Sequence, residues 1–203
     1  MKKFLSLALI ILASQISFSE QNGGKKLIVY FTEYENTGVD ALSSASRVWQ
    51  DKQYLGITEA MAKLVQRFKG GDLFSIQVKN PYPPQWEALM DQAARDKAYA
   101  VTPELKNPHI DLSEYKTIFL AFPIWERDMP RALYSFFDQY DFSGKRIYLM
   151  TASNDGPAST RAVISRLESG AEVSRQVLDI RNTYVENGGL YTRVRAWVKS
   201  LPL

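Results

Sequence analysis

The hydrophobic positions change period along the chain, and the changes come at regular intervals. Residues 25–31 (KKLIVYF) are an unbroken apolar, β-branched and aromatic run behind two lysines, the pattern of a strand covered on both faces of a parallel sheet. This run reads as the first, central strand. Residues 32–55 are polar and irregular, and then Ile57, Met61, Leu64, Val65 and Phe68 recur at helical spacing over residues 57–68, with Gly70 and Gly71 closing the helix. Residues 72–78 (DLFSIQV) read as a second strand. The stretch NPYPP at 80–84 excludes regular structure, and residues 85–99 follow as a charged helix with Trp86, Leu89, Met90 and Ala93 on one stripe. Strands at 117–122, 146–151 and 172–180 and helices at 129–140, 158–167 and 190–201 complete the pattern.

Strands alternating with single helices of this length predict an α/β three-layer sandwich. Right-handed crossovers bring five such strands into a parallel sheet of order 2-1-3-4-5, whose ligands sit beyond the carboxyl ends of strands one and three, where the winding reverses. Three loops border that place: 32–58, 123–130 and 151–159. No internal repeat or linker divides the domain, which is expected to span residues 20–203.

The first 19 residues stand apart. Lys2 and Lys3 precede a ten-residue apolar run (FLSLALIILA), the length of a signal-peptide core and too short for a membrane span. Ser17 and Ser19 suit a cut before Glu20. The product is expected to be periplasmic or secreted, with no lipobox and no stable membrane insertion after cleavage. Removing Lys2 and Lys3 takes the formal charge from +3 to +1, too small a surplus to suggest nucleic acid.

Zero cysteines exclude disulfides, thiol catalysis and thiolate metal sites, and the single histidine, His109, leaves no imidazole cluster. His109 lies before strand three and reads as a surface residue. There is no Gly-x-Ser-x-Gly elbow, no phosphate loop of the Walker type and no Gly-x-Gly-x-x-Gly turn, so serine hydrolysis, nucleotide hydrolysis and dinucleotide binding lose support. Chemistry must come from hydroxyls, amides, carboxylates and cations, or from a cofactor.

The segment at 103–125 (PELKNPHIDLSEYKTIFLAFPIW), together with Pro81-Tyr82-Pro83 and Tyr140-Asp141-Phe142-Ser143-Gly144-Lys145, resembles the flavodoxin-like family, most closely its secreted branch with a long first loop. The resemblance runs from about Lys26 to the C-terminus. It implies non-covalent FMN, and a role either as an electron carrier or as an oxidoreductase for a small donor, with a redox partner that stays unnamed. It also implies a phosphate site in the hydroxyl-rich turn between strand one and helix one. Here the matching residues are split: Thr32 ends the strand, and Gly56, Ile57 and Thr58 start the helix, with 39–54 as an excursion between them. A second register through Asn36-Thr37-Gly38 stays open, and the alternative for Thr58 is an N-terminal helix cap.

By the same resemblance Pro123, Ile124 and Trp125 face the flavin ring, with a core tryptophan as the alternative for Trp125. Thr151, Ser153, Asn154 and Gly156 close the far edge, unless they form an ordinary turn into the next helix. Relatives usually have a glycine where Arg127 stands, and the Glu126-Arg127-Asp128 cluster departs from that pattern. The competing reading is a flavin-free binding or interaction module of the same fold.

Overall fold

Strand β1 (Lys25–Tyr30) is the axis of the molecule in a computed structural model that describes residues 24–37, 47–106, 109–181, 185 and 188–203. The expected leader lies outside the described residues. β1 pairs in parallel with β4 (Asp72–Ser75) on one side and β5 (Tyr115–Pro123) on the other, so Ile28 stands between Leu73 and Phe119. β6 (Arg146–Ser153) follows β5, and both β7 (Glu172–Val173) and β8 (Leu178–Arg181) pair with β6. The order β4-β1-β5-β6-β7, all parallel, is the doubly wound order that the sequence pattern predicts.

The edge strand differs from expectation. Residues 172–180 form two short strands rather than one, because the Ser174 hydroxyl accepts from the Gln176 amide (3.1 Å) and the Gln176 carbonyl accepts from the Trp197 indole (3.1 Å). Such local bonds compete with the sheet ladder.

The central strands β1, β5 and β6 are buried on both faces, and alternate residues feed two cores. Leu27, Val29, Phe31, Ile118, Leu120, Phe122 and Leu149 pack under α3 (Trp86–Ala98), α4 (Arg131–Gln139) and α5 (Thr160–Leu167). Ile28, Tyr30, Phe119, Ala121, Tyr148 and Met150 pack under α2 (Ile57–Lys69) and α6 (Leu190–Ser200). Phe119 stacks on Tyr148 with ring centroids 5.3 Å apart, and cutting a buried ring of this kind to alanine costs about 3–5 kcal/mol. At the opposite end of the sheet the Asp141 carboxylate accepts from the Ser143 amide, and Lys145 Nζ donates to the carbonyls of Leu112 (2.7 Å) and Tyr115 (3.1 Å). Burial pushes the Lys145 ammonium below the usual lysine range.

The first loop carries structure that its polar composition does not suggest. A short helix α1 (Glu33–Thr37) leaves β1, and an antiparallel hairpin of β2 (Arg47–Gln50) and β3 (Gln53–Gly56) leads into α2. Val48 and Leu55 face the protein, whereas Trp49 and Tyr54 pack edge to face outside it at 5.0 Å, with the Arg47 guanidinium 4.7 Å from the Tyr54 ring centre. Strands of four residues are too short for a clear alternation, so the sequence reads as irregular. The hairpin turn places Asp51 and Lys52 at positive φ (52° and 65°), and the Arg67 guanidinium that grips Asp51 holds its carboxyl below the ordinary carboxylate range.

Candidate functional site

The carboxyl ends of β1, β5 and β6 carry the three loops, and each loop is tied to its neighbour. The Phe31 amide donates to Ala121 (2.9 Å), and the Ile124 amide donates to Ala152 (2.9 Å).

In the first loop the split halves come together. Thr32 and Thr58 are both 3% exposed, and Thr58 Oγ1 donates to the Phe31 carbonyl at 2.7 Å. Gly56 lies directly against Thr32, so that a Cβ there would overlap Thr32 Oγ1. Gly56 is also the residue before α2, and no side chain caps that helix start. Its first-turn amides, which have no partner within the helix, are the donors this site offers to an anion. The Thr58 hydroxyl commits its proton to Phe31, so toward a ligand its oxygen can accept but not donate. Sequence reasoning passed over two buried acids beside these threonines, Glu33 and Glu59; Lys63 pairs with Glu59 at 2.8 Å. The second register, through Asn36 and Thr37, falls in α1, and Gly38 lies outside the described residues.

In the second loop Trp125 and Asp128 exchange both backbone hydrogen bonds (2.9 Å each) around Glu126 and Arg127, which sit at φ 49° and 59°. This is a two-residue turn of the mirror-image type, which usually takes Asn and Gly. Three contacts hold it. Lys97 Nζ donates to the Glu126 carbonyl (2.7 Å), the Met129 amide donates to the Asp128 carboxylate (2.8 Å), and the Tyr134 hydroxyl reaches the same carboxylate at 3.0 and 3.1 Å. Burial, reinforced by the Asp128 charge, pushes the Tyr134 phenol up to about 12. Pro123 is buried at the end of β5 and Ile124 is half-buried. Trp125 is only 3% exposed and packs edge-on against Tyr82 (5.1 Å) and Phe31 (5.5 Å), so its indole lies in the core behind the loop. Burial, with the charges of Asp96 and Glu33 behind it, pushes the Tyr82 phenol well up.

In the third loop Thr151 and Ser153 turn toward β8: their hydroxyls both donate to Asp179 Oδ1, at 2.7 and 2.8 Å. Ser153 Oγ in turn accepts from the Gly156 amide (2.9 Å), and Gly156 has φ 108°, open to glycine alone among ordinary residues. Asn154 and Gly156 instead line a cavity of about 320 Å³ with Asp155 and Ala158. Its other walls are Ile124, the Glu126 and Arg127 turn, and Trp86 and Met90 of α3. The volume is that of a small-molecule site, and the walls are apolar on the α3 side and polar on the third-loop side.

Sequence reasoning assigned Trp86 and Met90 to a core stripe, yet Trp86 is 39% exposed. Asp179 also went unread; an acid between Leu178 and Ile180 in a buried strand is a signal that it is bonded. His109 stacks on Tyr140 at 5.3 Å, away from all three loops. Among the described residues no group of acids and histidines is arranged to hold a metal ion, and no helix is long and apolar enough to cross a membrane.

A doubly wound parallel sheet with its cavity beyond the carboxyl ends of the central strands defines a class of α/β ligand-binding domains. Within that class the chain belongs to the flavodoxin family, whose sequence profile matches residues 52–199. Solved structures share the fold. A candidate flavoprotein from Bacteroides uniformis is 22% identical, with 88% of this chain and 99% of that one covered and a TM-score of 0.66. Another, from Bacteroides eggerthii, is 18% identical over 89% and 99%, with a TM-score of 0.64. A flavoprotein from Lactobacillus acidophilus, solved in complex with FMN, is 16% identical over 81% and 98%, with a TM-score of 0.58. No curated protein sequence matches the chain.

Proposed function

We propose that the protein binds FMN non-covalently beyond the carboxyl ends of β1, β5 and β6, and that it serves outside the cytoplasm as an electron carrier or as an oxidoreductase for a small donor. The observation that carries this reading is the cavity, and the first loop adds to it. A close approach open only to glycine lies at the start of α2, and an amphipathic cavity lies beside β5 and β6. Family membership and the FMN complex of the Lactobacillus acidophilus flavoprotein support it.

The donors present suit the group, and Lys63 offsets Glu59, one of the two buried acids beside them; the other, Glu33, opposes a dianion. Thr32, Gly56, Ile57 and Thr58 would surround the phosphate, with the amides of α2 as donors and Gly56 keeping the cradle open. Ile124 would meet the ring, and the backbone of Asn154 and Gly156 would meet its polar edge. The bound flavin supplies one- and two-electron transfer, so the protein's part is orientation, exclusion of water and local charge. Glu126 and Arg127 set that charge at the cavity rim; the carboxylate disfavours extra negative charge on a neighbouring ring, and the guanidinium offsets it.

The test is direct. Purified protein mixed with FMN should quench flavin fluorescence and keep a flavin spectrum through gel filtration. No retention at tens of micromolar would sink the reading. The flavin-free module is the second reading, and a specific observation favours it: the side chains of Thr58, Thr151 and Ser153 are all bonded within the protein. Export rests on the leader, and mass spectrometry of the exported protein should find Glu20 at its N-terminus.

A further inference from the structure

The cavity has one aromatic wall, and the second loop does not supply it. Trp86 opens α3 with 39% of its surface exposed, and Met90, one turn on, stands beside it on the same wall. Leu89 and Ala93 of the same helix are buried, so helix phase sends Trp86 and Met90 toward the cavity.

The wall is held at both ends of α3. Tyr82, in the proline-rich segment before the helix, is buried edge-on against Trp125 at 5.1 Å. Near the far end Lys97 donates to the Glu126 carbonyl at 2.7 Å. Both ties run to the loop after β5, which forms the neighbouring wall. A solvent-facing indole on a braced helix has only two side-chain torsions to order, and it can bury a large flat area against a planar ligand.

Resting on the FMN reading, we infer that Trp86, backed by Met90, is the stacking surface for the isoalloxazine ring, and that Trp125 is the core pillar that holds α3 against the second loop. Indole is electron-rich. It stacks better on the electron-poor oxidised ring than on the electron-rich reduced one, so Trp86 holds the bound flavin's midpoint potential down and quenches its fluorescence.

The experiment titrates FMN, and separately riboflavin, which has the ring without the phosphate, into wild-type protein, Trp86→Phe and Trp86→Ala. Both variants should melt near the wild type, because Trp86 is a surface residue. Trp86→Ala should weaken FMN about tenfold, leave the bound flavin brighter and raise its midpoint potential. Trp86→Phe should restore most of the affinity and part of the shift in potential. Wild-type FMN affinity, quenching and potential in Trp86→Ala would overturn the stacking role while the FMN reading stands. Wild-type protein that binds neither flavin would overturn both. Protein that quenches riboflavin through Trp86 but gains nothing from the phosphate supports the stack and removes the phosphate site instead.

Discussion

Thr58 Oγ1 donates a 2.7 Å hydrogen bond to the carbonyl of Phe31, a residue 27 positions earlier in the chain. The bond joins the exit of β1 to the entry of α2 across the whole first loop, and it is buried. Thr58→Val keeps the shape and removes the donor, leaving the Phe31 carbonyl unpaired. A loss of about 1–3 kcal/mol in urea unfolding is expected, and Thr58→Ser should recover most of it. Equal stability of Thr58→Val and wild type would show that the bond is not holding the loop.

Gly56 meets Thr32 at a spacing that admits no side chain, although its backbone (φ −62°, ψ 150°) suits any residue. Gly56→Ala is therefore a steric test and not a conformational one. It should destabilise by about 1–3 kcal/mol. Thr32→Ala in the same chain should return much of that loss, a coupling that a double-mutant cycle measures.

Asp179 anchors two strand-end hydroxyls, those of Thr151 and Ser153, and through Ser153 the amide of Gly156. Asp179→Ala leaves both hydroxyls without their acceptor and frees the Ser153 side chain that receives the Gly156 amide. A lowered melting temperature, equivalent to about 2–3 kcal/mol, is expected, together with weaker FMN retention, because the third loop is one wall of the cavity. Asp179→Asn keeps an acceptor oxygen and should fall between the two.

Tyr134 gives a pH prediction. Its phenol is raised from its ordinary value of 10.0 to about 12 in the folded protein, first by burial and then by Asp128. The folded state thus holds this proton more tightly than the unfolded chain. The stabilisation is complete below pH 10 and drains away as pH rises through about 12. Tyr134→Phe removes the ionisation, so its stability should fall less than the wild type's between those limits. It should also be less stable near neutral pH, by about 1 kcal/mol, through the lost bond to Asp128. Parallel stability-pH curves would refute the assignment.

The turn at Glu126 and Arg127 holds two non-glycine residues in left-handed backbone. Arg127→Val should cost more than about 1 kcal/mol, since branching at Cβ worsens that conformation, whereas Arg127→Gly should be neutral or slightly stabilising. Chemical denaturation of the two variants side by side checks the sign.

What the residue pattern determined by itself was the frame. Apolar runs such as 25–31 and 117–122 can be solvated by neither face, so they must lie inside a parallel sheet, and the intervening helical stripes dictate where their cover comes from. That logic also put the three loops at the carboxyl ends of the strands, and the family resemblance paired Thr32 with Gly56 and Thr58, which the fold brings together. Tertiary structure decided which side chains face that end. Sequence put Trp125 at the ring and Trp86 on a core stripe; packing against Tyr82 and Phe31 instead sends Trp125 into the core, while Trp86 lies on the cavity wall. Thr151 and Ser153 likewise turned to Asp179, a partner 28 and 26 residues away. Local spacing carries strand and helix because those depend on near neighbours; the direction of a loop side chain depends on what the rest of the chain brings beside it.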